Sequence, residues 1–515
     1  MTPLDYFAHT QLGSSLKTSE HLKGKEIAEK VDVVIVGSGP GGLVTASVLA
    51  NAGLSVLILE SGRFWQHKDF RRQQSFATKH LFQDRGVRIA VGNAFIPLVS
   101  GRGVGGGTLV NSGICFRAPD YVLDEWTKAQ GLEYWSDRET LFSTVEKTIG
   151  VAPTRKSIGG TNTEIARRGF TKMGGVTHDY MPRNTPGCAG CGTCQTGCPV
   201  GGKASSDLNW LPQAMRKGAR LFADARVENI LMKDGRAIGV SGNIIDPDSL
   251  KAVNKFTIHA DKVILSAGTI YTPLLLQNNN LAMSSGMVGK NLHIQPGSAV
   301  LAKFEEEVRI WSGATQGYFA YHPTETEILA ETFSAPPEAF LTQTSRIGAA
   351  ASDFLRDFKH IAGSGILVRD HSSGSVTSKG NKNPDIKYHL IDRDFQKFKR
   401  GIEFVAKMYF EAGAKGVRPQ VYGSQFFTSW NSCQQFIRSI TKVSALDLYA
   451  SHPMGTCRIG ENPKENVVRP QDARTHDHEG LYVMDASLLP TALGVNPQVT
   501  IMAQCLALAE NIAKS

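Results

Sequence analysis

Four cysteines, Cys188, Cys191, Cys194 and Cys198, stand as C-x-x-C-x-x-C-x-x-x-C-P within GCAGCGTCQTGCPVGG. Bacterial ferredoxins wrap an iron–sulfur cluster with such a run, although their fourth cysteine serves a second cluster and no second run exists here. Zinc, and reduced or paired structural thiols, stay open beside the cluster. A second chemical pattern lies upstream: Gly37, Gly39 and Gly42 form G-x-G-x-x-G, and Glu60 follows about 20 residues on. Gly37 permits a tight turn, Gly39 lets the backbone approach a pyrophosphate, and Gly42 lets helix and strand pack closely. A carboxylate at Glu60 suits a ribose 2′-hydroxyl, which favours FAD or NAD over a 2′-phosphorylated nucleotide. His476 and His478 alternate with acids in RTHDHEG, but no further ligands converge in sequence, so a solvated turn is the simpler reading.

Elements must position these groups. The apolar run Val33–Val36 predicts a buried parallel strand, Gly41–Ala52 the helix whose N-terminus meets the phosphates, and Leu54–Leu59 a strand ending at Glu60. The stretch GRGVGGGTLVNSG from Gly101 carries six glycines and Asn111, so its backbone can lie flat against a ligand. Further on, DKVILSAGTIYTPLLLQ predicts a strand, then Ala267 and Gly268, then a helix opening near Thr272 and Pro273. Near the C-terminus a strand Leu481–Met484 delivers Asp485 to a loop, and an apolar helix over Gln498–Ala513 follows. Between them, GYFAY and DIKYHLI read as strands, DFQKFKRGIEFVAKMYFEAG as an amphipathic helix ending at Gly413, and HSSGSVTSKGNKNP as a hairpin loop.

At 515 residues the chain exceeds one compact core and predicts two or three domains. The net charge of +9 is dispersed, with no basic run, which argues against nucleic acid as a partner. No window approaches a spanning helix and the N-terminus lacks the apolar core of a secretory signal, so the expectation is a cytoplasmic protein with reduced thiols.

Together these motifs and their order resemble the glucose-methanol-choline (GMC) oxidoreductase family over nearly the whole length. The resemblance implies an α/β fold: a Rossmann-type FAD-binding domain from discontinuous segments, 28–140, 215–300 and 448–515. An α+β substrate domain with an antiparallel sheet (301–447) and a cysteine-containing insertion (141–214) complete it. By the same resemblance Gly37, Gly39, Gly42 and Glu60 bind the ADP half of FAD, Val227 in ARVENI meets the adenine, and Gly106, Asn111, Asp485 and Asn496 lie toward the flavin. Val110 stands where members with covalent flavin carry His, so non-covalent FAD is expected. The family's second signature begins well at Gly268 but departs at QNNNLAMSSG.

Alcohol oxidation sends a hydride to flavin N5 and a hydroxyl proton elsewhere, a task suited to neutral imidazole. The resemblance points to His452 in SHPMGTCRIG as that base and to Asn496 in GVNPQ as the group orienting the hydroxyl, with Pro497 holding Asn496 extended. RDHSSGSVTSKG is similar to the long-chain alcohol oxidase and bacterial alcohol dehydrogenase branch. The expected reaction is FAD-dependent oxidation of a CH–OH group, with oxygen or an external redox partner as electron acceptor. A non-redox lyase or decarboxylase on the same scaffold and an iron–sulfur electron-transfer protein are the alternatives.

Overall fold

The computed structural model describes residues 15–338, 348–379 and 383–514. Its larger sheet carries the parallel strands Leu16–Lys17, Arg220–Phe222, Val56–Leu59, Ala28–Val36 and Ala252–Leu265, in that spatial order. The long strand Ala252–Leu265 divides its free edge. Its first half pairs antiparallel with Arg236–Ile245, which carries Ala225–Lys233 beyond it, and its end pairs parallel with Leu481–Val483. The strand runs Val33–Val36, Val56–Leu59 and Val263–Leu265 are almost wholly buried, as a parallel sheet covered on both faces requires. Helix Pro40–Asn51 packs against Gln498–Lys514 and Trp210–Arg216, so segments distant in sequence meet in this layer.

The second sheet is antiparallel throughout, in the order Gly416–Pro419, Gly297–Lys303, Ile361–Val368, Glu325–Thr332, Tyr318–His322 and His178–Tyr180. Side chains alternate between its faces. Ile328, Ala330, Ile366 and Val368 join one core with helix Asp392–Glu411, while Leu329, Leu367, Phe319 and Tyr321 pack toward the nucleotide layer. A smaller sheet joins Gly374–Lys379, Asn383–Tyr388, Ile89–Val91 and Phe95–Pro97. The α/β fold with an antiparallel substrate sheet is thus observed.

Two expectations are corrected locally. The helix expected near Thr272 spans Gly268–Asn278, leaving Pro273 in its interior. Proline has no N–H for the carbonyl of Thr269, and that oxygen instead accepts the Thr456 hydroxyl at 2.5 Å. The segment expected as a hairpin loop is largely strand, since Gly374–Lys379 and Asn383–Tyr388 pair antiparallel.

Candidate active site

The glycine turn is built from contacts that leave no room for side chains. A Cβ on Gly37 would stand 2.2 Å from the Ser266 carbonyl oxygen, and one on Gly42 2.3 Å from that of Gly37. Gly39 differs: nothing lies within 4 Å of its notional Cβ, so space opens at the N-terminus of helix Pro40–Asn51. The same is true of Gly107, whereas a Cβ on Gly106 would sit 2.7 Å from the Cα of Gly39. The two glycine-rich stretches therefore converge beside a helix end whose free N–H groups suit phosphate. Gly41, which the motif leaves as a variable position, is equally constrained: its Cβ would meet the Met484 carbonyl oxygen at 2.2 Å.

Glu60 ties this turn together. Its carboxylate accepts the Ser38 N–H at 3.0 Å, the Ser38 hydroxyl at 2.7 Å and the Gly62 N–H at 2.7 Å. Burial pushes its pKa up against those hydrogen bonds. Val227 is half-buried on strand Ala225–Lys233, whose first N–H donates to the Glu60 carbonyl at 2.7 Å. Asp485 accepts the Gly268 N–H at 2.9 Å and the Thr272 hydroxyl at 2.6 Å, fixing the start of helix Gly268–Asn278, and takes the Ser487 N–H at 2.8 Å. Asn111 donates to Gln498 Oε1 at 2.7 Å, which joins the second glycine stretch to the helix that follows Asn496.

His452 and Asn496 come from different loops and meet with His452 Nε2 and Asn496 Nδ2 3.4 Å apart. The loop of His452 is held by a short ladder: His293 exchanges two backbone hydrogen bonds with Met454, and Gly297 two with Tyr449. Gln295 lies opposite His452 in that ladder, and its Nε2 stands 3.4 Å from His452 Nδ1. Burial pulls the imidazole down to about 4, so the ring is neutral at ordinary pH and a weak base. Asn496 donates a side-chain hydrogen bond to Glu331, whose strand partner Phe319 belongs to an aromatic wall: Phe116 packs edge-on against Phe319 at 4.9 Å and near Tyr321 at 6.3 Å. One acid, Glu331, faces this wall, and burial pushes it up to about 8.

Family patterns described as GMC oxidoreductase match residues 78–297 and 370–504, and one described as FAD binding domain matches residues 30–90. An uncharacterised GMC-type oxidoreductase of Mycobacterium tuberculosis is 34% identical over 93% of this chain and 75% of its own. The chain belongs to the GMC oxidoreductase family. A long-chain-alcohol oxidase of Arabidopsis thaliana is 30% identical, over 100% of this GMC chain and 71% of its own length. Among solved structures, pyridoxine 4-oxidase from Mesorbium loti superposes with a TM-score of 0.70 at 18% identity, covering 93% of this chain and 98% of that one. As a member of this family the protein is an FAD-binding oxidoreductase, and the open face at Gly39 and Gly107 fits the cofactor.

The four thiols of the cysteine run line one pocket. Among the described residues no three His, Cys, Asp or Glu side chains are grouped to hold a metal ion. The thiols have separate partners instead: Cys194 accepts from Arg183 Nη2 at 3.3 Å, Cys188 from the Gly190 N–H at 3.4 Å, and Cys191 pairs with the Thr193 hydroxyl at 3.2 Å. Buried Lys203 lies beneath, donating to the carbonyls of Leu109, Asn111 and Cys194. Lys203 thereby pins the cysteine loop to the second glycine-rich stretch. Among the described residues no helix is long and apolar enough to cross a membrane.

Two residues of the site escaped the sequence reading. Gln295 and Glu331 carry no motif, and only the fold brings Gln295 Nε2 to 3.4 Å from His452 Nδ1 and Glu331 into a side-chain hydrogen bond with Asn496.

Proposed function

We propose that this protein oxidises the CH–OH group of an apolar alcohol, using non-covalently bound FAD. The observation that carries the reading is the His452–Asn496 pair set against an aromatic wall. Two polar groups at 3.4 Å can grip one hydroxyl oxygen, while Phe116, Phe319 and Tyr321 receive a hydrocarbon chain. Relatives named long-chain-alcohol oxidases favour a long primary alcohol as the first substrate to try.

Gly37, Gly39, Gly42 and Glu60 would hold the ADP half of the cofactor, with Val227 at the adenine. Gly106, Asn111 and Asp485 would line the path to the flavin. Bound FAD supplies a hydride acceptor; the chain's own residues bind the alcohol, orient its oxygen and keep water out. Val110 offers no imidazole for a covalent bond to flavin, which agrees with dissociable cofactor. Reoxidation in aerated buffer separates oxygen from an external redox partner as the acceptor.

His452→Ala tests the reading. It should keep its flavin spectrum yet lose about 100-fold or more in the rate at which 1-dodecanol bleaches that flavin without oxygen. Bleaching at the wild-type rate removes His452 from the reaction. Bound FAD that no alcohol bleaches in the wild type would turn attention to a lyase on the same scaffold.

A further inference from the structure

We propose that the hairpin of residues 89–97 docks this protein on a bilayer containing anionic phospholipid, its apolar outer face entering the hydrocarbon while flanking cations meet the phosphates. The docking stands on this surface alone; its use in supplying substrate rests on the alcohol-oxidising reading.

A half-buried antiparallel pair ordinarily turns polar residues to water, and this hairpin does the reverse. Strands Ile89–Val91 and Phe95–Pro97 set Ile89 opposite Pro97 and Val91 opposite Phe95, so these four side chains share one face. Ala90 and Ile96, on the other face, are buried. The shared face stands in solvent: Phe95 is 73% exposed, Val91 45%, Ile89 43%, and Pro97 is exposed as well. Val87, just ahead of the hairpin, is 74% exposed, while its neighbour Arg88 is buried. A contiguous apolar surface of this kind, rimmed by charge, marks a place that another phase or molecule covers.

The exposure is built into the fold. Asp84 and Arg85 have φ of +51 and +55, left-handed values that residues other than glycine seldom take, and Gly86 follows at +71. Asp84 holds this turn, accepting the Tyr271 hydroxyl at 2.5 Å and lying 3.4 Å from Arg88 Nε. At the hairpin tip Asn93 accepts the Leu390 N–H at 3.0 Å and donates to the Leu390 carbonyl at 2.8 Å.

Cations flank the apolar face on both sides. At the Val87 end an open pocket of about 250 Å³ is lined by Arg63, Lys79, Arg85 and Arg102. The two acids in that pocket are engaged, Asp84 as described and Asp248 at 3.9 Å from Arg63. Among the described residues neither Lys79 nor Arg85 has a carboxylate within 4 Å. On the opposite flank Lys387 is the strand partner of Val91, and it shares Asp385 with Lys379. An apolar centre with an excess of positive charge around it complements anionic phospholipid, whose phosphates lie in a plane above hydrocarbon.

The same surface continues into the candidate active site. The Pro97 carbonyl accepts the Ala450 N–H at 2.9 Å, and the Ala450 carbonyl accepts the Val99 N–H at 3.0 Å, two residues before His452. An alcohol with a hydrocarbon chain gathers in a bilayer rather than in water. Docking by the hairpin therefore brings the His452 loop to the phase that holds such a substrate.

The test is co-sedimentation of the FAD-loaded full chain with sucrose-filled vesicles, made either of phosphatidylcholine alone or of three parts phosphatidylcholine to one of phosphatidylglycerol. The wild type should pellet with the mixed vesicles and bind about tenfold more weakly to phosphatidylcholine alone or at high salt. Phe95→Asp should weaken binding to the mixed vesicles about tenfold or more, yet keep its 450 nm flavin band and be bleached by water-soluble 1-hexanol at the wild-type rate. Arg85→Glu should lose most of the preference for phosphatidylglycerol. A wild type that stays in the supernatant, or a Phe95→Asp protein that pellets as the wild type does, overturns the proposal. So does a wild-type dimer that Phe95→Asp splits without any vesicle binding, which would give the face to a second copy of the chain. Vesicle binding by a protein whose flavin no alcohol bleaches supports docking and refutes only the alcohol reading.

Discussion

A Cβ on Gly106 would lie 2.7 Å from the Cα of Gly39, so two glycine stretches far apart in sequence share one face at a helix N-terminus. The clearance on that face separates glycines that serve the chain from those that serve the ligand. Gly39 has a φ of −68 and nothing within 4 Å of its notional Cβ, so Gly39→Val should fold with stability within about 0.5 kcal/mol of the wild-type apoprotein. It should nevertheless lose FAD, read as the ratio of 450 nm to 280 nm absorbance after dialysis. Gly37→Ala should instead lower the melting temperature of the apoprotein, because its φ is +105 and its Cβ would strike the Ser266 carbonyl. Equal FAD content in Gly39→Val and wild type would refute this division.

Lys203 links the cysteine loop to the second glycine-rich stretch by donating to three carbonyls at 2.7–3.3 Å. Lys203→Met removes a buried charge but leaves those oxygens without a donor, and should cost roughly 2–4 kcal/mol in urea unfolding. Holo protein should also release FAD more readily, since the carbonyls of Leu109 and Asn111 lose their anchor. An unfolding midpoint equal to wild type would mean that the clamp contributes nothing.

Glu331 binds its proton more tightly folded than unfolded, about 8 against an ordinary 4.5. Its contribution to stability is therefore full below pH 4.5 and is lost as pH rises through 8. Glu331→Gln does not titrate. Relative to wild type it should gain about 3–5 kcal/mol of stability between pH 4.5 and pH 9. Urea unfolding of both proteins at the two pH values checks the sign as well as the size; a difference independent of pH would place Glu331 in solvent.

The nucleotide layer was legible in the sequence because its signals are local. A buried apolar run, a glycine turn and an acid at the end of the next strand specify one another within about 30 residues. The aromatic and amide surroundings of His452 were not, since they depend on pairings between distant strands. RDHSSGS could be read only as a mark of one branch of the family. In the fold its Asp370 accepts the backbone N–H groups of Ile294 and Gln295, and its Arg369 donates to the Ala492 carbonyl, so the motif holds the two loops that meet at the site. The cysteine spacing was legible only as a group of thiols. Its thiols do line one pocket, and the buried lysine beneath them has no signal in the spacing. Pro273 was placed at a helix start on general preference, and a hydroxyl from Thr456 lets it lie inside.

The account turns on one claim, that an alcohol gives its hydride to flavin bound in this chain. An anaerobic titration of the FAD-loaded protein with 1-dodecanol, with shorter and secondary alcohols alongside, tests it by following the 450 nm band. The predicted result is stoichiometric bleaching by at least one alcohol and release of the matching carbonyl compound. Flavin that stays oxidised with every alcohol, or a chain that binds no FAD at all, would contradict it.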